Sequence, residues 1–283
     1  MTFKDSNKAR LNSSGKAPFI EFPVLSEIPF ITHGFSTRLG GVSTGMFSSM
    51  NLGSGSLPYQ DDPENIHQNF IIIAESIGVD PESLVLSDQV HKTNIRIVTD
   101  EDRGKGFLRP RDYVEIDGLI TNTPNITLVT KYADCVPLFF VDPVKKAIGL
   151  SHSGWKGTVG RIGHKTVDKM KDTFGSKEED IVAVIGPSIC VKCYEVGEEV
   201  ANEFRTVFSL SEDNTDILYK NQNGRYQLNL WEANRRVLLD AGLLPDNIHV
   251  SEVCTACNSD FFFSHRKTGG KRGSLAAFLA INR

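Results

Sequence analysis

With 283 residues, of which 40% are hydrophobic, the chain can bury a substantial core without disulfides. Its 31 Lys and Arg against 35 Asp and Glu give a formal net charge of -4, which leaves no basic footprint for nucleic acid. No apolar run approaches the roughly 20 residues that span a bilayer, and the polar start offers no apolar signal core, so no membrane partner is expected and the chain reads as cytoplasmic.

Residues 1–17, rich in Ser, Lys and Asn, read as a flexible N-terminal arm outside the core, leaving 18–283 as one domain. A β-rich run predicts a strand over 31–36. It leads into a Gly-rich turn, 36–45, where Arg38 and the amides of Gly40 and Gly41 could cradle an oxyanion or phosphate. The same turn reads equally as a hairpin connection in which Gly supplies positive φ. Over 62–79, Ile66, Phe70, Ile73, Ala74 and Ile77 recur at helical spacing. Strands are predicted at 84–90, 95–98, 126–130, 138–141 and 147–151, then a helix over 158–174 that stops at Gly175. A strand at 181–185, helices at 198–208 and 230–241, and strands at 248–253 and 274–281 complete the pattern. Alternation of this kind, with no linker and no fixed repeat, predicts a single mixed α/β domain.

Three segments each put a good metal ligand at the edge of an apolar strand: His91 in SDQVH, Cys135 in YADCVP and His152 in LSHSGW. Two imidazoles and a thiolate suit zinc, and three protein ligands leave a fourth position for water, whose pKa such an ion lowers toward about 7. Asp134 is placed to orient a ligand from behind. The alternative is that the two histidines are satisfied polar residues and Cys135 a small buried hydrophobe. A second metal reading pairs Cys190 and Cys193 with Cys254 and Cys257 as a closed four-thiolate site. The gap between the pairs is longer than in compact zinc ribbons and neither sits in a Gly-rich knuckle, which favours four reduced thiols. After His152, Gly154-Trp155-Lys156-Gly157 opens a helix and offers either amides to the cleft or glycines for tight packing. His67, His164 and His249 read as packed or surface residues, while His33 and His265 have no partner evident in sequence.

The segments HGFSTRLGGVSTGMFSSMNLG, DQVH, DGLITN, ADCVPLFFVD, GLSHSGWKGT, GPSICVKCYEVGEEV and NLWEANRRVLLDAG, in order from His33 toward Arg266, closely resemble the bacterial laccase-domain family, also described as purine nucleoside phosphorylases. The resemblance implies an α/β domain similar to the catalytic domain of the cytotoxic necrotizing factor toxins. It carries the family's metal ligands onto His91, Cys135 and His152, which would also be the catalytic set. It further implies phosphorolysis of adenosine, inosine and S-methyl-5'-thioadenosine, with purine nucleosides and phosphate as the small-molecule partners, and deamination of adenosine. Older descriptions of the family imply a copper-dependent polyphenol oxidase, so the cofactor expected is zinc, with copper possible. A Cys-His hydrolase using Cys135 as nucleophile stays open. The position of Cys190 varies in the family, which weakens the four-cysteine site, and 267–274 matches inexactly, which leaves Arg266 without an implied role.

Overall fold

In the computed structural model, which describes residues 3, 4, 6–56, 58–210 and 215–282, two six-stranded sheets lie face to face. One contains β1 (Arg10–Asn12), β2 (Phe19–Glu21), β3 (Ile31–Ser36), β4 (Leu84–Leu86), β7 (Thr127–Tyr132) and β12 (Leu275–Ile281), in the spatial order β1-β2-β3-β12-β7-β4. The other contains β5 (Ile95–Ile97), β6 (Gly118–Thr121), β8 (Val136–Asp142), β9 (Ala147–Ser153), β10 (Val182–Ile185) and β11 (Ile248–Val250), in the order β11-β10-β8-β9-β6-β5. Pairing is antiparallel except for β4 with β7, β5 with β6, and β10 with β11.

Strand periodicity sorts the side chains into three apolar layers. Along β12, Leu275, Ala277, Leu279 and Ile281 enter the core between the sheets, while Ala276, Phe278 and Ala280 face α1 (Pro63–Ile77). Along β8, Phe139 and Val141 join that same inner core, while Leu138 and Phe140 pack toward α3 (Ile162–Phe174) and α4 (Leu230–Asp240). The result is a four-layer helix, sheet, sheet, helix stack. Because both faces of the central strands are covered, they read in sequence as continuous apolar runs rather than as alternation.

The helix predicted over 62–79 forms as α1: Asp62 caps it by accepting the Glu64 amide, Pro63 opens it, and Gly78 ends it at φ 88. The helix predicted over 158–174 is instead two, α2 (Trp155–Val159) and α3, separated where Arg161 takes φ 58. A side chain at Gly160 would lie 2.7 Å from the Thr93 methyl, so the break is also a point of close packing. Part of the segment 1–17, expected as a loose arm, is packed against the domain. Arg10–Asn12 forms an edge strand against β2, and Ala9 and Ala17 are buried, whereas residues 1, 2 and 5 lie outside the described set.

The predicted strand at 84–90 stops at Leu86, because the chain there leaves the first sheet and reaches β5 of the second. Residues 133–135 make a similar crossing from β7 to β8. These two crossings, with the end of β9, build the centre described next.

Candidate metal centre

His91 lies in the first crossing, Cys135 in the second, and His152 in β9, opposite Pro137. Their ligand atoms all fall within 4.8 Å of one another. The Cys135 Sγ is 3.9 Å from His91 Nε2, and the two imidazole rings stand edge to face at 4.8 Å. His91 is exposed and His152 buried, so the cluster opens to solvent on the His91 side. Two of its backbone positions are strained, with φ 62 at His91 and φ 86 at Asp134, as the chain turns sharply between sheets.

Asp117, just before β6, organises the cluster. Its carboxylate accepts the consecutive amides of Val90, His91 and Lys92 at 3.0, 3.0 and 2.9 Å and faces His152 Nδ1 at 2.8 Å. That leaves Nε2 of His152 for the ligand side. Burial pushes the Asp117 carboxyl up, but the bonds from His152 and the amides outweigh it and leave it below the usual range. In sequence, Asp117 stands in the DGLITN motif with nothing to mark its role beyond an Asp-Gly pair opening a buried apolar strand.

Asp134, expected to orient a ligand, does something else. Its carboxylate accepts the Thr255 and Ser264 hydroxyls and the Arg266 amide at 2.6, 3.0 and 2.7 Å, tying the distant loop 251–266 to the Cys135 turn. Gly154 serves close packing, since a Cβ there would lie 3.0 Å from both Cys135 Sγ and His91 Cδ2.

Burial raises the Cys135 thiol, yet the charge and hydrogen bonds of His152, with a further bond from His91, bring it down to about 6. Burial likewise lowers His152, but the Cys135 charge and the Asp117 contact carry it to about 9. Each group thus favours the charged form of the other, the thiolate lowering the cost of the imidazolium and the reverse.

Two cavities share His91 and Cys135 as a common wall. One, of about 270 Å³, is bounded by Val90, Trp155, Ile189, Tyr194 and Leu230. The other, of about 230 Å³, carries Ser87, Gln89, Arg111, Lys131, Arg272 and Ser274. Arg111 is paired with Asp88 at 2.8 Å. Lys131 has no polar partner for its ammonium among the described residues, and burial, then the nearby Arg111 charge, lower its pKa. Arg272 donates to the Gly273 carbonyl and the Ser274 hydroxyl, but its Nε is buried without a partner.

The phosphate cradle expected at Arg38, Gly40 and Gly41 borders neither cavity. The Arg38 guanidinium is spent on the carbonyls of Ser48 and Ser259 and lies over the Phe263 ring. The Gly41 amide donates to Ser49 Oγ, and a Cβ at Gly40 would lie 2.7 Å from Ala17 Cα. The Gly-rich turn is a packing device. His33 is also structural: burial lowers it to about 4, and its Nε2 accepts the Phe22 amide. His67 stacks on Phe107, and His164 faces Asp168 at 3.5 Å along α3.

The family model for multi-copper polyphenol oxidoreductase laccase matches residues 32–282. The Bacillus subtilis protein named purine nucleoside phosphorylase YlmD is 41% identical over 251 residues, covering 88% of this chain and 87% of its own length. Adenosine deaminase RL5, from an unknown prokaryotic organism, is 34% identical over 84% of this chain and 90% of its own. The crystal structure of YlmD from Geobacillus stearothermophilus superposes with a TM-score of 0.89 at 33% identity, covering 98% of this chain and 100% of that one.

Proposed function

The chain belongs to the multi-copper polyphenol oxidoreductase laccase family, and from that premise we propose that it processes purine nucleosides at the His91, Cys135 and His152 centre. The reactions are phosphate-dependent cleavage of adenosine, inosine and S-methyl-5'-thioadenosine, and deamination of adenosine. The names of the YlmD and RL5 relatives support this reading. The observation that carries it is a zinc-type donor set forming the shared wall between an aromatic cavity and a cationic one.

The donors fit zinc, with copper as the other candidate: two imidazoles and a thiolate converge, His152 is held by Asp117, and the exposed side leaves a position open. An ion held there supplies a Lewis acid at the junction of the cavities. The remaining work belongs to the chain. Trp155 and Tyr194 offer flat surfaces to a purine, and Ile189 and Leu230 limit water at the ribose. Lys131 and Arg272 hold phosphate, which forms a bond to the ribose C1′ as the bond from C1′ to the purine nitrogen breaks and the base leaves with a proton. A lysine whose ammonium has no polar partner among the described residues is a ready anion ligand.

Lys131→Met should lower phosphate-dependent base release from inosine by about 100-fold while affecting adenosine deamination far less, since only the first reaction needs phosphate held. Equal losses in both would remove Lys131 from phosphate binding. A second reading rests on the low Cys135 thiol beside a charged His152: Cys135 as nucleophile with the imidazole as its acid-base partner. Copper-dependent oxidation of polyphenols gains no support from any particular feature beyond the same ligand set.

A further inference from the structure

Four cysteines outside the centre converge beyond the ends of β10 and β11, at one edge of the second sheet. Cys190 and Cys193 follow β10, and Cys254 and Cys257 follow β11. The two strands are parallel, and their pairing continues through Ser188 and Cys254, so both C-x-x-C turns emerge side by side. All four Sγ atoms lie within 4.8 Å of one another, with Cys193 to Cys257 at 3.4 Å and Cys190 to Cys257 at 3.9 Å. Four thiolates bound tetrahedrally at about 2.3 Å would sit about 3.8 Å apart. A disulfide needs about 2.05 Å, and no pair is that close. The amides of Cys190 and Cys257 also point at the Cys254 sulfur, at 3.3 and 3.4 Å, an arrangement that stabilises a thiolate.

We infer that Cys190, Cys193, Cys254 and Cys257 form a closed tetrathiolate site for zinc, which fixes the wall of the nucleoside cavity. Its four protein ligands leave no position for substrate, so its role is structural. The long sequence gap that argued against the site is bridged by the parallel pairing of β10 and β11. Its place explains what it fixes. Ile189 and Tyr194, both walls of the aromatic cavity, immediately flank Cys190 and Cys193. Thr255, between the other two cysteines, donates to Asp134 beside Cys135. Arg266, at the end of the same loop, lies over the Tyr194 ring at 5.1 Å and donates to the Glu195 carbonyl. One ion thus ties two otherwise irregular loops together against the reaction centre.

The site does not depend on the nucleoside reading, and metal analysis of the full-length protein tests the two apart. Wild-type protein should carry about two zinc equivalents, Cys190→Ser with Cys193→Ser about one, and Cys135→Ala about one. The double variant should also melt at lower temperature and show a raised KM for inosine with a smaller change in kcat, because the cavity wall loosens while the centre persists. Titration of denatured, metal-stripped wild-type protein should find all 5 cysteines as free thiols. Two outcomes would overturn the inference: unchanged metal content in the double variant, or fewer free thiols than that, which would mean a disulfide in place of the ion. Should that double variant fold too poorly to purify, Cys257→Ser alone takes its place with the same expected loss of one equivalent.

Discussion

Asp117 holds the centre through one carboxylate that faces three successive amides and the His152 ring at 2.8 to 3.0 Å. Asp117→Asn keeps the shape but turns one acceptor into a donor, so the 90–92 turn and the His152 tautomer lose their common anchor. Metal affinity should fall about 10–100-fold, read by competition with a chromogenic chelator. Unchanged affinity would mean that the backbone alone positions both histidines. The Cys135 thiol gives a second expectation. A thiol lowered to about 6 is mostly thiolate at neutral pH, so alkylation of Cys135 in metal-stripped protein should rise with pH through about 6 and then level off. A midpoint at an ordinary thiol value, about 8.5, would show that His152 does not charge beside it. At this scale the three residues that converge were singled out as scarce, reactive side chains next to apolar strands, but their spacing alone left them equally open to a plain packing role, and the family resemblance carried the reading. Asp117 was not, since its function is to collect amides that only the folded crossing aligns. Lys131 and Arg272 look like ordinary cations until the fold leaves the Lys131 ammonium without a polar partner among the described residues and buries the Arg272 Nε unpaired.

Among the elements, the Gly-rich turn after β3 separates sequence logic from structure most clearly. Arg, Gly and hydroxyl residues are what an anion cradle needs, but they are equally what a tight loop needs to satisfy its own carbonyls and avoid backbone collisions. In this chain the Arg38 guanidinium is engaged by the Ser48 and Ser259 carbonyls and the Phe263 ring, which favours the second use. Arg38→Ala should therefore destabilise the protein by about 1.5–3 kcal/mol, the range for hydrogen bonds to a charged group, and lower phosphorolysis and deamination equally once corrected for folded fraction. Selective loss of phosphorolysis would return Arg38 to the phosphate site. Helix α1 was legible because cap, periodicity and terminal Gly agree. The break between α2 and α3 was hidden because 158–174 keeps a helical pattern through Arg161, and only the approach of Thr93 to Gly160 reveals the turn. The short strand Gly118–Thr121 lies within the DGLITN motif but is too short to read as a strand, although its 4 buried residues lie beside the strand that carries His152.

Across the molecule, the mixed α/β class followed from the order of predicted elements, but the pairing of two sheets did not. Strands covered on both faces carry no alternation to say which neighbour each face meets. The stacked sheets nonetheless explain the site, because its candidate ligands come from two places where the chain passes between layers and from the strand beside one of them. Such a seam has rigid strands at its back and irregular backbone in front, which suits a centre that must hold its ligands and still admit substrate.

The central claim is that this seam works through a bound metal rather than through a free Cys135. The direct test is phosphate-dependent release of hypoxanthine from inosine, measured on the same preparation as purified, after stripping with a chelator, and after reloading with two zinc equivalents, enough for the four-cysteine site and for the His91, Cys135 and His152 centre. Metal-dependent chemistry requires that stripping abolish release and that zinc restore it, with Cys135 alkylation changing in the opposite sense because a bound thiolate has its lone pair engaged. Stripped protein that cleaves inosine as fast as, or faster than, the zinc-loaded form would contradict the claim and assign the chemistry to the cysteine.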